Sequence, residues 1–123
     1  MCRLARIAAV LVLVLAAAPV LADDGLEAEV AEIERLAIST HWRESDRRLD
    51  DLASRLDELT PEQRARLEFV RLRNLGLAGK EPAALQGFSR LLQQAEMSAA
   101  LRVRAYTTAI SIAANRGCVP SCN

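Results

Sequence analysis

From residue 23 onward, apolar side chains recur every third or fourth position, and no stretch alternates apolar and polar residues long enough for a strand. The pattern predicts five helices. The first runs from about Leu26 to Ile38 with Val30, Ile33 and Ala37 on one face, and Asp24 and Glu27 have the spacing of a capping box. His41-Trp42-Arg43-Glu44-Ser45 reads as a turn, and a second helix follows, with Leu49, Leu52, Ala53, Leu56 and Leu59 stepping by three and four. Thr60 is placed as the N-cap of the third, Pro61 suits its first position, and Gln63 can return a bond to the cap. That helix runs to about Ala78, where Gly79 can take the left-handed conformation that ends it. Pro82 opens the fourth, whose face is Ala84, Leu85, Phe88, Leu91, Leu92 and Ala95. Ser98 caps the fifth, which continues through Asn115 and stops near Gly117. Short connections require consecutive helices to lie antiparallel. The expectation is an all-α fold of antiparallel helix pairs.

Helix five is apolar on two sides. Leu101, Ala105, Ala109 and Ile112 form one face, and Val103, Tyr106, Ile110 and Ala113 much of another. Such a helix is normally sandwiched. Pro120 and the few residues after Gly117 leave no room for another full helix, so two expectations follow. Either a partner covers Val103, Tyr106 and Ile110, as in a homodimer through helix five, or the reading frame is truncated.

The first 22 residues have a different character. Arg3 and Arg6 precede an unbroken apolar run from Ile7 to Ala18, then Pro19, and Val20-Leu21-Ala22 puts short side chains before Asp23. This is the layout of a signal peptide over 1–22, cleaved between Ala22 and Asp23, and the run is too short to span a bilayer. It predicts a periplasmic or secreted protein with no membrane attachment after cleavage. The division is then a signal at 1–22, a helical domain at 23–117 and a tail at 118–123.

Composition narrows the function by exclusion. The 101-residue body is one small domain, which rules out a multidomain enzyme. One Trp, one Tyr, two Phe and a net charge of zero argue against nucleic-acid binding. The charges are unevenly placed: residues 23–62 hold 13 acids and 5 bases, a net of −8, and residues 63–123 hold 3 acids and 9 bases, a net of +6. Such a chain can pair end to end with itself or steer an oppositely charged partner, or its charges can be balanced locally.

Leu67 and Leu101 are 34 residues apart, each early in a helix that ends near a glycine. With Leu72 and Leu75 on the first helix, Gly79 at the turn, and Ala84, Phe88 and Leu91 on the second, the segment resembles a tetratricopeptide repeat. Leu72 stands where that family carries a small residue, and the family's closing proline is absent. The resemblance implies a short α-solenoid.

The body as a whole resembles the periplasmic helical-repeat region of bacterial membrane-bound diguanylate cyclases. The resemblance is carried by the signal with its acidic helix, by Leu59-Thr60-Pro61-Glu62-Gln63-Arg64-Ala65-Arg66-Leu67 leading to Arg73-Asn74-Leu75, and by Ala100-Leu101-Arg102-Val103-Arg104-Ala105-Tyr106 continuing to Ala114-Asn115-Arg116-Gly117. It implies a sensing or protein-binding module. Gly79 and Gly117 are isolated glycines, so no cyclase residue carries over, and the cyclase domain is not in this chain. The implied function is a non-enzymatic module that binds a peptide or protein partner, or else a sensory fragment with no independent function. Repeats of this kind bind along the concave surface of their first helices, where the register puts Arg73 and Thr107. Arg73 there could clamp a peptide carboxylate, or it could simply be solvated or paired within its helix.

The remaining chemistry is sparse, and no cofactor or metal site is expected. Cys118 and Cys122 read as a simple disulfide, as a small redox centre, or as a meaningless tail after a shifted frame. Closing so short a loop stabilises by about 2 kcal/mol or less. Zinc needs four ligands, and the single histidine, His41, lies in a distant turn. His41 has no nucleophile or orienting carboxylate beside it and reads as a turn residue, with Trp42 plugging the adjacent corner. Asp50-Asp51 and Asp57-Glu58 are adjacent pairs whose members point different ways on a helix, so neither forms an acid/base couple.

Overall fold

A computed structural model describes the backbone of residues 18–121 and the side chains of residues 25–115. Among them are five α-helices and no strand: α1 (Ala18–Ile38), α2 (Trp42–Leu52) continued by a 3-10 segment (Ala53–Glu58), α3 (Pro61–Leu77), α4 (Glu81–Leu91) and α5 (Ala99–Ser121). The fold is all-α. No described helix is long and apolar enough to cross a membrane.

The best-punctuated helix is α3. Thr60 Oγ1 accepts from the Gln63 N–H at 3.1 Å, and Gln63 Oε1 accepts from the Thr60 N–H at 3.0 Å, which closes a capping box. At the other end Gly79 has φ +83°, with Gly79 N–H donating to Gly76 O at 3.1 Å and Lys80 N–H to Leu75 O at 2.9 Å. These two bonds make a Schellman motif and satisfy carbonyls the helix would otherwise leave open. At α5, Ser98 Oγ accepts from Leu101 N–H at 3.2 Å.

Five boundaries differ from the sequence pattern. The backbone of Asp24 lies inside α1 and not at its start, since the helix is already formed six residues earlier, at Ala18. The turn is shorter than His41–Ser45, since α2 begins at Trp42. Ser45 is drawn in by the fold, fully buried, with its hydroxyl donating to Ile33 O of α1 at 3.1 Å. Helix two does not reach Leu59 as a single helix. At Arg55 the backbone leaves the helical region (φ −116°, ψ 15°), so Leu56 turns outward while Leu59 is buried. Finally, α5 passes through Gly117 and Pro120 to Ser121. A helix already propagating crosses a lone glycine for about 1 kcal/mol, so that residue need not end it. Helix α4, by contrast, stops short of its apolar pattern, ending at Leu91 and leaving Ala95 exposed.

Helix α3 is the centre of the molecule, packed against each of the other four helices. Ala65, Leu67, Phe69, Val70 and Leu72 are all buried on it, around Val30 and Ile33 of α1, Leu52 of α2, Phe88 and Leu91 of α4, and Leu101 and Ala105 of α5. Phe69 and Phe88 meet edge to face with centroids 6.0 Å apart. Each such large side chain contributes about 1.5–3 kcal/mol by burial. Between α3 and α4 the fit depends on Gly87, where a Cβ would overlap the Leu72 side chain. The residue left small at this crossing is therefore on α4, opposite the bulky Leu72.

A polar seam fastens α1 to α3. Arg66 donates to Glu27 at 2.6 Å and to Glu34, and Gln63 Nε2 donates to Glu27 at 2.8 Å. Arg104 of α5 joins it, 3.7 Å from Glu34 and stacked 5.1 Å over the Phe69 ring. At the α2 corner buried Asn74 donates to Trp42 O (3.4 Å), Ser45 Oγ (3.5 Å) and Asp46 Oδ1 (3.4 Å).

The signal peptide expected at 1–22 falls almost wholly outside the described residues, and the expected cleavage point Ala22–Asp23 falls in the backbone of α1. The Cys118–Cys122 pairing also lies outside the described side chains.

Candidate functional site

The C-terminal half of α3 and the middle of α5 diverge around a shallow groove of about 210 Å³. Its apolar floor is Leu77 and Ile112. Its polar lining is Arg73 from α3, Glu81 from the first turn of α4, and Thr108, Ser111 and Asn115 from α5. Three of these follow from helix geometry, since Thr108, Ser111 and Asn115 step by three and four and share one side of α5. Leu77 is 52% exposed and so is available to an apolar ligand group. Gly76 forms part of the wall, and a Cβ there would stand 2.7 Å from Ile112 Cδ1, so the bare backbone lets α5 approach this closely.

Arg73 is the cation of the groove. One arm of its guanidinium donates to Ala37 O, a carbonyl of the last turn of α1 that has no partner within its own helix. Among the described residues it has no carboxylate partner. Burial holds its pKa below the ordinary arginine value, and the like charge of Arg104 acts in the same direction. Arg66, two turns earlier on the same helix, is displaced the other way: burial lowers it, but the bonds to Glu34 and Glu27 outweigh that and raise it. An arginine pushed in this direction gains from any anion that reaches it.

Of the two binding residues predicted from the register, the structure places only Arg73 in the groove. Thr107 is exposed on another side of α5 and donates to Val103 O of its own helix at 2.8 Å. One residue, or 100° of helix rotation, separates it from Thr108, which does line the groove. Glu81 and Leu77 were missed because each belongs to a helix end whose direction depends on the Gly79 turn. The partner of Arg73, Ala37, lies 36 residues away and left no local signal.

The other sequence candidates stay apart. His41 is exposed, its Nδ1 3.2 Å from Ser39 Oγ. Trp42 is half-buried beside it with the Arg43 guanidinium 4.8 Å over its ring. Val103, Tyr106 and Ile110 stand 64%, 51% and 66% exposed, as the two-sided pattern of helix five predicts. No group of three or more potential metal ligands occurs among the described residues. Comparison of the chain with protein-family models, with curated proteins and with solved structures gave no match.

Proposed function

We propose that this chain is a non-enzymatic, exported helical-repeat module that binds a peptide or protein segment in the groove between α3 and α5. The observation that carries the reading is Arg73: a half-buried cation with no carboxylate of its own, at the edge of an apolar floor, beside two hydroxyls and a side-chain amide. That set suits a chain segment offering a carboxylate and an apolar side chain, with its backbone met by Asn115 and by Ser111, whose hydroxyl donates to Thr107 O at 2.9 Å and is left to accept.

Two further features support the repeat interpretation. Odd-numbered helices pack on each other, α1 on α3 and α3 on α5, while α2 and α4 do not. Stacked helix pairs make contacts of this kind, and on that reading the groove lies on the side of the first helices. The Leu72–Gly87 exchange of large and small residues accounts for the departure from the tetratricopeptide pattern at Leu72. The resemblance to the periplasmic region of diguanylate cyclases adds a sensing role, and the apolar leader with its small residues before Asp23 adds export to the periplasm or beyond.

The test is calorimetric titration with a panel of short peptides that end in an apolar residue, each as free acid and as amide. The free acids are expected to bind about tenfold or more tightly than the amides, and Arg73→Gln to remove the difference. Equal binding of acid and amide, or an unchanged preference in Arg73→Gln, would reject the groove as a carboxylate site.

A further inference from the structure

The ridge that α5 turns to solvent has a counterpart elsewhere on the same molecule. Val103, Tyr106 and Ile110 form an apolar line flanked by Arg102, whose guanidinium donates to Leu92 O and Gln94 O, and by Arg104, 3.7 Å from Glu34, and the sequence of Ala99–Ser121 contains no acidic residue. Across α3 lies a hollow of about 270 Å³ between α2 and α3, floored by Leu49, Ala53, Leu56 and Leu67. It opens where the 3-10 break swings Leu56 outward to 44% exposure. Asp46 and Asp50, one helical turn apart, stand on its wall, and neither has an ion-pair partner among the described residues. The other charges there are Arg64 at one end and Arg71, which Glu68 holds at 2.5 Å. Since α2 and α5 are not packed together, a copy does not fill its own hollow with its own ridge.

We propose that the chain associates head to tail with a second copy, the Val103–Tyr106–Ile110 ridge of one seating in the α2–α3 hollow of the next. Charge selects this arrangement. The ridge lies on a helix that has no carboxylate, and the hollow carries Asp46, Asp50 and Glu68 against Arg64 and Arg71, with Asp46 and Asp50 outside any ion pair among the described residues. A symmetric α5-to-α5 contact would instead oppose Arg102 and Arg104 to their own copies, and like charges so placed cost affinity. Contact between different patches leaves a free ridge and a free hollow at the two ends of a dimer, so assembly continues beyond the dimer, into a ring or an open chain. Three partly exposed side chains offer far less than the roughly 800 Å² per partner of a standard interface, so the association is weak, with dissociation constants on the order of tens of micromolar.

Sedimentation velocity of the full chain across a concentration series tests this. The wild type is expected to grow past the dimer as concentration rises, and association to weaken about tenfold when salt goes from about 0.05 M to about 0.5 M. Ile110→Asp spoils the ridge, and Asp50→Lys combined with Leu56→Lys spoils the hollow. Each variant alone should remain monomeric, and their equimolar mixture should stop at a one-to-one heterodimer joining the intact ridge to the intact hollow. All three positions are exposed, and thermal unfolding checks each fold, with Tyr106→Glu as a second ridge variant. A wild type that stays monomeric overturns the proposal and leaves the ridge to a different partner. A hollow variant that still dimerises overturns it in favour of the symmetric α5 contact, and a mixture that stays monomeric overturns it as well.

Discussion

Arg66 and Arg73 lie two turns apart on one side of α3, and the fold treats them in opposite ways. Arg66 is clamped by Glu27 and Glu34 across the α1 seam, so its charge is neutralised within the molecule. Arg73 has a single backbone carbonyl, lies deep enough to lose much of its hydration, and faces Arg104 where Arg66 faces acids. The first arrangement fastens two helices. The second leaves electrostatic free energy unclaimed until an anion arrives. Satisfied charge marks structure here, and unsatisfied charge marks where a ligand gains most.

Removing Arg66 tests the structural side and should have the largest effect. Arg66→Ala leaves Glu34, whose side chain is 13% exposed, with only the more distant Arg104, and is expected to cost about 2 kcal/mol in denaturant unfolding. Arg73→Gln loses one bond and relieves a desolvated charge, so it should cost less than about 1 kcal/mol. Equal losses at the two positions would make Arg73 a structural residue and erase the contrast.

The α3–α4 crossing gives the next largest effect. Gly87→Ala is expected to destabilise by about 1–2 kcal/mol because its methyl overlaps buried Leu72. With Leu72→Ala already in place the same change should stabilise, by up to about 1 kcal/mol, since alanine is the better helix former. A double-mutant cycle in thermal unfolding reads this reversal of sign.

Acid sharpens the comparison further. The hydrogen bond from Gln63, and then that from Arg66, holds the Glu27 carboxyl below its ordinary value, with burial opposing them. Because the folded value lies below the unfolded one, the stabilisation is complete above about pH 4.5 and is lost as pH falls through the folded value. Unfolding midpoints measured from neutral pH down to about pH 3 should therefore fall less steeply in Gln63→Met than in the wild type. Over the same range Arg73→Gln should leave the slope unchanged.

The smallest effect separates neighbours on α5. Ser111→Ala should weaken peptide binding about threefold by losing a hydroxyl from the groove, while Thr107→Ala should not change it. Titration of the two variants side by side decides whether the groove lies where Thr108, Ser111 and Asn115 put it.

What could be read in advance depended on the range of the interaction. The Thr60–Gln63 box and the Gly79 turn are built from residues within a few positions of each other, and both were legible. The buried faces of α3 and α4 were legible because helical spacing and burial share a period, as Phe88 and Leu91 show. The start of α2 was not, because Ser45 is pulled in by a carbonyl twelve residues away on α1. Half of the candidate site was missed for the same reason. Arg73 stood out as a cation on the expected face, but the choice between Thr107 and Thr108 turns on a rotation of α5 that Gly76 and Ile112 settle by contact.

Gly76 gives that contact a second meaning. It has no side chain at the point where Ile112 presses against α3, so an absent methyl group sets the aperture of the groove. Lengthening the residue by one carbon acts as a wedge, forcing α5 outward and spreading Arg73 from Ser111 without altering either. If the groove takes a chain segment as proposed, selectivity for the thickness of that segment is written at a position that offers a ligand no side chain at all.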